Sequence, residues 1–238
     1  MTRFIAITAA ALAVSACHFG GEDRDPGSTV TRNYQVGAFD KIEVAGSYEV
    51  TVTTGGRPGV SATGGDKQLD DTEVVVENGV LKIGPKHHSG IHFGWTHHGT
   101  TKFTVTTAML HGVEIAGSGG VRVDKVDGDF KGDVAGSGEL TLAAVNGGAS
   151  KFSIAGSGKI SVAGKAQSAK MEIAGSGDID AGALAVTDAD VSIAGSGNVR
   201  ANASGNAKVE IMGSGDVTVT GGAKCEIDKA GSGNVSCS

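Results

Sequence analysis

From Thr31 onward, apolar and polar side chains alternate in short runs, and in the C-terminal half the tetrapeptide Ala-Gly-Ser-Gly resets that alternation at regular intervals. Copies begin at Ala116, Ala135, Ala155, Ala174, Ala194 and Ala230, with Met212 opening a variant copy; the seven starts lie 19, 20, 19, 20, 18 and 18 residues apart. Two residues beyond the second glycine stand Val121, Leu140, Ile160, Ile179, Val199, Val217 and Val235, each preceded in nearly every copy by a polar residue. Ahead of the motif, Ile115, Val134, Ile154, Ile173, Ile193 and Ile211 form a second apolar row, and Val113, Phe152, Met171, Val191, Val209 and Ile227 a third. Period two is the mark of strands with one buried face. Two strands flanking a glycine corner, with the remaining residues supplying a short third side, predict an all-β fold. The expected architecture is a right-handed parallel β-helix of about 19 residues per coil.

The corner explains the glycines. A bend repeated at one height in every coil needs backbone angles closed to residues with a Cβ and must lie close to the bends above and below it. The serines Ser118, Ser137, Ser157, Ser176, Ser196, Ser214 and Ser232 therefore read as structural, bonding corner backbone or one another. No recurring His or Asp accompanies them, as nucleophilic catalysis would require. Outward positions carry an acidic column, Glu114, Asp133, Glu172, Glu210 and Asp228, beside a basic one, Lys131, Lys151, Lys170 and Lys208. Side by side they predict a solvated, mutually neutralising face.

Ahead of the repeats, strand patterns run through Lys41–Val52, Thr72–Val76, Gly79–Ile83 and Lys102–Thr106, with Ala45-Gly46-Ser47-Tyr48 as a degenerate first corner. Asn78-Gly79 between two apolar runs is a hairpin signal. Residues 31–110 thus predict a hairpin-rich N-terminal β region, continuous with the solenoid of residues 111–238 and capping its open start.

Residues 1–16 read as an export signal, with Arg3 ahead of an apolar run from Phe4 to Val14 and small residues before Cys17. Val14-Ser15-Ala16-Cys17 resembles the lipobox of bacterial lipoproteins, which implies a lipid-modified Cys17 and a membrane anchor, with residues 17–30 as a tether. The expected location is the bacterial envelope, at the outer membrane and facing periplasm or cell surface. The two other cysteines, Cys225 and Cys237, fall on inward positions of the last coil, where a disulfide would staple an open end.

Composition narrows the rest. Forty glycines and three prolines at a period near 20 exclude a collagen helix. A net charge of −6 without clustered basic residues speaks against nucleic acid.

The order of elements resembles the auto-transporter adhesin head GIN domain family. The likeness rests on Phe39-Asp-Lys-Ile-Glu-Val-Ala-Gly-Ser-Tyr-Glu-Val50, on Asn78-Gly-Val-Leu-Lys-Ile83, on Thr104-Val-Thr-Thr-Ala-Met-Leu110 and on the Gly-Ser-Gly coils that follow. It implies a β-helical, exported or lipid-anchored envelope protein, and it brings no catalytic residues.

One segment stands apart. His87, His88, His92, His97 and His98 crowd a short stretch that also holds Phe93 and Trp95. Imidazoles in a glycine-flexed loop suit zinc, copper or nickel, although no HExxH-type spacing or internal carboxylate supports a fixed site. The two aromatics suit contact with a sugar or a partner. The leading expectation is a non-enzymatic envelope lipoprotein presenting a repetitive surface for adhesion or scaffolding, its partner a glycan or a surface protein. The alternatives are a metal-binding protein using the histidine segment and a glycan-binding or glycan-processing β-helix. For the last, Asp178 with Asp180 and Asp188 with Asp190 are the carboxylate pairs to weigh.

Overall fold

The computed structural model describes residues 27–86 and 101–238. Its N-terminal part runs β1 (Thr29–Tyr34), β2 (Lys41–Gly46), β3 (Glu49–Thr54), β4 (Gly59–Gly65), a short helix α1 (Asp66–Asp70), β5 (Thr72–Glu77), β6 (Val80–Pro85) and β7 (Lys102–Thr107). The repeat region continues with β8 (Gly112–Gly117), β9 (Gly120–Val123), β10 (Val126–Asp127), β11 (Phe130–Gly136), β12 (Glu139–Asn146), β13 (Ala149–Gly156), β14 (Lys159–Lys165) and β15 (Ser168–Gly175). It closes with β16 (Asp178–Gly195), β17 (Asn198–Gly213), β18 (Val217–Thr220), β19 (Lys224–Gly231) and β20 (Val235–Cys237). The fold is an all-β solenoid with about 19 residues per turn, as the period predicts.

Two long parallel sheets carry it. On the side before the corner, β8, β11, β13, β15 and the last parts of β16 and β17 stack in register and end at β19. On the side after the corner, β9, β12, β14 and the first parts of β16 and β17 stack and end at β18 and β20. The third side is short, and register shifts mark it, as between Leu142 and Val145. The predicted rows fill the interior: Val134, Ile154, Ile173, Ile193, Ile211, Leu140, Ile160 and Phe152 are all buried.

The N-terminal part does more than cap. Strands β2 and β3, around Ala45–Tyr48, make a full coil that pairs in parallel with β8 and β9 on one side and with β6 and β7 on the other. An earlier piece of chain is thus wedged between two later ones. Beyond β6 and β7 the cap turns antiparallel: β5 on β6 across a turn with Asn78 at φ 52° and Gly79 at φ 79°, and β4 on β7 with β1 outermost. Strand β1 starts at Thr29, inside the stretch read as a tether, because all six of its residues find partners on β4.

Tyr48 stands where other corners have their second glycine. In the coil beneath it, β6 ends at Pro85 and β7 begins at Lys102. The ring turns inward, edge-on to Phe103 at 5.5 Å between centroids, and its hydroxyl meets Thr72 Oγ1 at 3.2 Å. Burial raises the Tyr48 pKa.

Candidate functional site

The repeated corner forms a ridge along the rod. Within it the backbone carries the ladder: each corner serine donates its N–H to a glycine carbonyl one coil back, from Ser118 on Gly46 to Ser232 on Gly213, at 2.8–3.1 Å. The two glycines serve different ends. Gly136 adopts φ +117°, and a Cβ there would also lie 2.5 Å from the Gly117 carbonyl oxygen. Gly138 has no unusual φ, but a Cβ would meet Gly119 O and Ile115 Cγ2, each at 2.7 Å. Coils stacked about 4.8 Å apart leave no room for a side chain at either place.

With the ladder made by backbone, the serine side chains are left facing water. Ser118, Ser137, Ser157, Ser176, Ser196 and Ser214 are exposed, and so are Ala116, Ala135, Ala155, Ala174 and Ala194 beside them; Met212 interrupts the alanine column, which resumes at Ala230. The expectation that the hydroxyls brace the corner is thus replaced by a row of outward hydroxyls at one per coil.

Next to the alanines runs a shallow groove of about 380 Å³, edged by Glu114, Asp133, Ser153, Glu172 and Ser192. Like charges stack directly at Glu43, Glu114 and Asp133 and at Lys131, Lys151 and Lys170, and further along both columns are interrupted. Ser153 separates Asp133 from Glu172, Ser192 separates Glu172 from Glu210, and Asp190 lies between Lys170 and Lys208 in the basic column. Lys131 pairs with Asp133 at 2.7 Å and Lys208 with Glu210 at 2.6 Å, while Glu172 takes Lys151 at 2.7 Å and Lys170 at 3.1 Å. Hydrogen bonds from these two ammonium groups lower the Glu172 pKa, and the bond to Asp133 raises that of Lys131.

Across the corner, a ladder the sequence reading missed alternates acid with amide. Asn198 Nδ2 donates to Asp178 Oδ1 at 2.9 Å, the Asp216 N–H donates to Asn198 Oδ1 at 3.3 Å, and Asn234 donates to Asp216 Oδ1 through its N–H and Nδ2 at 2.8 and 3.1 Å. Reading the position after each Gly-Ser-Gly down the copies would have found it. Three of the four carboxylates weighed as catalytic pairs are bonded to a neighbouring coil. Asp178 holds Asn198, Asp188 holds Asn206 at 2.9 Å, and Asp180 faces Arg200 at 3.7 Å, so these groups brace neighbouring coils.

At the far end, Cys225 and Cys237 are joined at an S–S distance of 1.98 Å. Cys17, His87, His88, His92, His97, His98, Phe93 and Trp95 lie outside the described residues. Among the described residues no three His, Cys, Asp or Glu side chains are grouped as metal ligands, and no helix is long and apolar enough to cross a membrane.

A family model described as "Putative auto-transporter adhesin, head GIN domain" matches residues 38–223. Among solved structures, a putative adhesin from Bacteroides fragilis NCTC 9343 is similar at TM-score 0.77 and 21% identity, covering 88% of this chain and 97% of its own. A putative lipid binding protein from Parabacteroides distasonis ATCC 8503 is similar at TM-score 0.71 and 26% identity, covering 89% and 97%. A putative adhesin from Parabacteroides merdae ATCC 43184 is similar at TM-score 0.66 and 19% identity, covering 89% and 97%. No curated protein matches the chain.

Proposed function

The chain belongs to the family of the auto-transporter adhesin head GIN domain, and from that premise we propose that it is a non-enzymatic rod of the bacterial envelope that presents its ridge for adhesion or scaffolding. The observation that carries the reading is the repeated exposed pair Ala135/Ser137, Ala155/Ser157, Ala174/Ser176 and Ala194/Ser196. One small apolar and one hydroxyl group recur in these successive coils, so an extended partner, a glycan or a surface protein, would meet the same contact many times. Weak contacts made in series gain avidity without any one of them being strong.

Export through residues 1–16 and lipid modification of Cys17 complete the proposal, with the segment ahead of β1 tethering the rod to the outer membrane. A lipid ligand, as in the name of the P. distasonis protein, would have to bind on the outside. The interior of each coil is already filled by side chains such as Leu140, Phe152 and Ile173.

Accessibility of the domain to protease or antibody on intact cells tests the reading, with a known periplasmic protein as control. Exposure on the cells is the expected result, and full protection sinks the adhesive role. A second reading, metal binding by the histidine segment, is favoured by one observation: both its flanks are held by strand pairing, Pro85 opposite Thr72 and Lys102 opposite Glu49. Untagged protein that takes up no zinc, copper or nickel removes that reading.

A further inference from the structure

The terminal coil is built differently from those before it. Cys225 opens its first side, over Ala207, and Cys237 ends its second side, over Val219. In earlier coils a stretch of chain closes the third side, whereas here the sulfur bridge closes the cross-section between Cα atoms 6.7 Å apart. The coil buries little of its own. Gly233 is the one fully buried residue of 224–238, Ile227 is 49% exposed, and Ala230, Gly231 and Ser232 face solvent. One coil back, Val209, Ile211, Val217 and Val219 are at most 1% exposed.

We propose that Cys225–Cys237 is a redox-operated latch, and that its reduction releases residues 224–238 while the preceding coils stay folded. Segments with few buried apolar contacts open at low free-energy cost, so the covalent link carries a larger share of local order here than in any coil with a filled interior. Gly221 and Gly222, at φ +99° and +79°, supply the joint on which the segment swings. Cys237 is exposed, so an attacking thiolate can reach it.

The reductant is a dithiol. One of its thiolates attacks a cysteine sulfur to form a mixed disulfide, and its second thiol resolves that bond. The protein S–S bond breaks as the dithiol's S–S bond forms, and two electrons and two protons pass to Cys225 and Cys237. Release uncovers the β17 and β18 edge, with its row Val209, Ile211, Val217 and Val219.

Hydrogen exchange of the full chain with and without dithiothreitol, read by mass spectrometry, tests this. The expected result is exchange in β19 and β20 faster by at least about tenfold after reduction, with β11, β13 and β15 unchanged. A C225S/C237S double variant should match the reduced chain without any reductant. Unchanged protection of β19 and β20 once both thiols are free overturns the latch. Loss of protection spread equally through β11 to β15 also overturns it, since the bond would then be a staple for the whole fold. So does a bond that resists dithiothreitol in the folded protein. Reduction of the unmodified chain decides the matter even if the double variant fails to fold.

Discussion

Lys229 lies directly over Ile211, in the inward row that Val134, Ile154, Ile173 and Ile193 fill in earlier coils. Its ammonium group bends across the open end and donates to the Gly233 carbonyl at 2.8 Å. A charge aimed inward on the last strand discourages a second sheet from adding there. Lys229→Ile should therefore raise stability by about 1 kcal/mol through added apolar burial and make the end adhesive. Sedimentation velocity across a concentration series should show steeper association than the parent. Equal behaviour would mean that Lys229 guards nothing.

The corner glycines make a sharper prediction. Gly136→Ala forces a positive φ on alanine and a clash with Gly117, and should cost on the order of 2–3 kcal/mol. Gly37→Ala, with nothing within 4 Å and no unusual φ, should be close to neutral. Urea denaturation of the two variants checks the contrast, and similar midpoints would show that the ridge tolerates a Cβ.

Glu172 sets an acid-side dependence. Its carboxyl is held below the ordinary value of 4.5 by hydrogen bonds from Lys151 and Lys170. The resulting stability is present above that value and is lost as pH falls through the lower, folded one. Glu172→Gln should then cost less than about 1 kcal/mol at pH 7, as exposed ion pairs do, with the difference closing in acid. A gap between variant and parent that widens on acidification would contradict this assignment.

Asn198→Asp would put three carboxylates, with Asp178 and Asp216, in one unbroken stack and remove the amide that joins them. The expected penalty at neutral pH is about 1 kcal/mol, shrinking as the acids protonate. Thermal melts at neutral and acid pH supply the comparison, and a penalty that ignores pH would mean repulsion is not its source.

Much of this molecule was legible from its letters, because each coil repeats the same solution. The rows through Ile154 and Leu140, the corner at Gly156 and Gly158, the charged columns and the bond between Cys225 and Cys237 all follow from aligning the copies. The rest lies where repetition breaks. Strand β1 and strand β4 pair across a long stretch of chain, from Tyr34 with Val60 to Thr29 with Gly65, and neither holds a motif copy. The wedge of β2 between β6 and β8 is a long-range choice that local alternation cannot express. Lys229 was passed over because it interrupts an apolar row, and that interruption is its role.

The wedged coil also sets the order in which the protein can be made. A chain leaving the ribosome, or a membrane pore, N-terminus first delivers Ile42 and Val44 long before either flank that will cover them: Leu81 and Ile83 on one side, Val113 and Ile115 on the other. The coil of β2 and β3 therefore stays open on its second side until about residue 123 has emerged, although β1 can already pair with β4 and β2 with β6. From there each new Gly-Ser-Gly turn finds a finished edge ready to receive it, and growth can follow delivery one coil at a time.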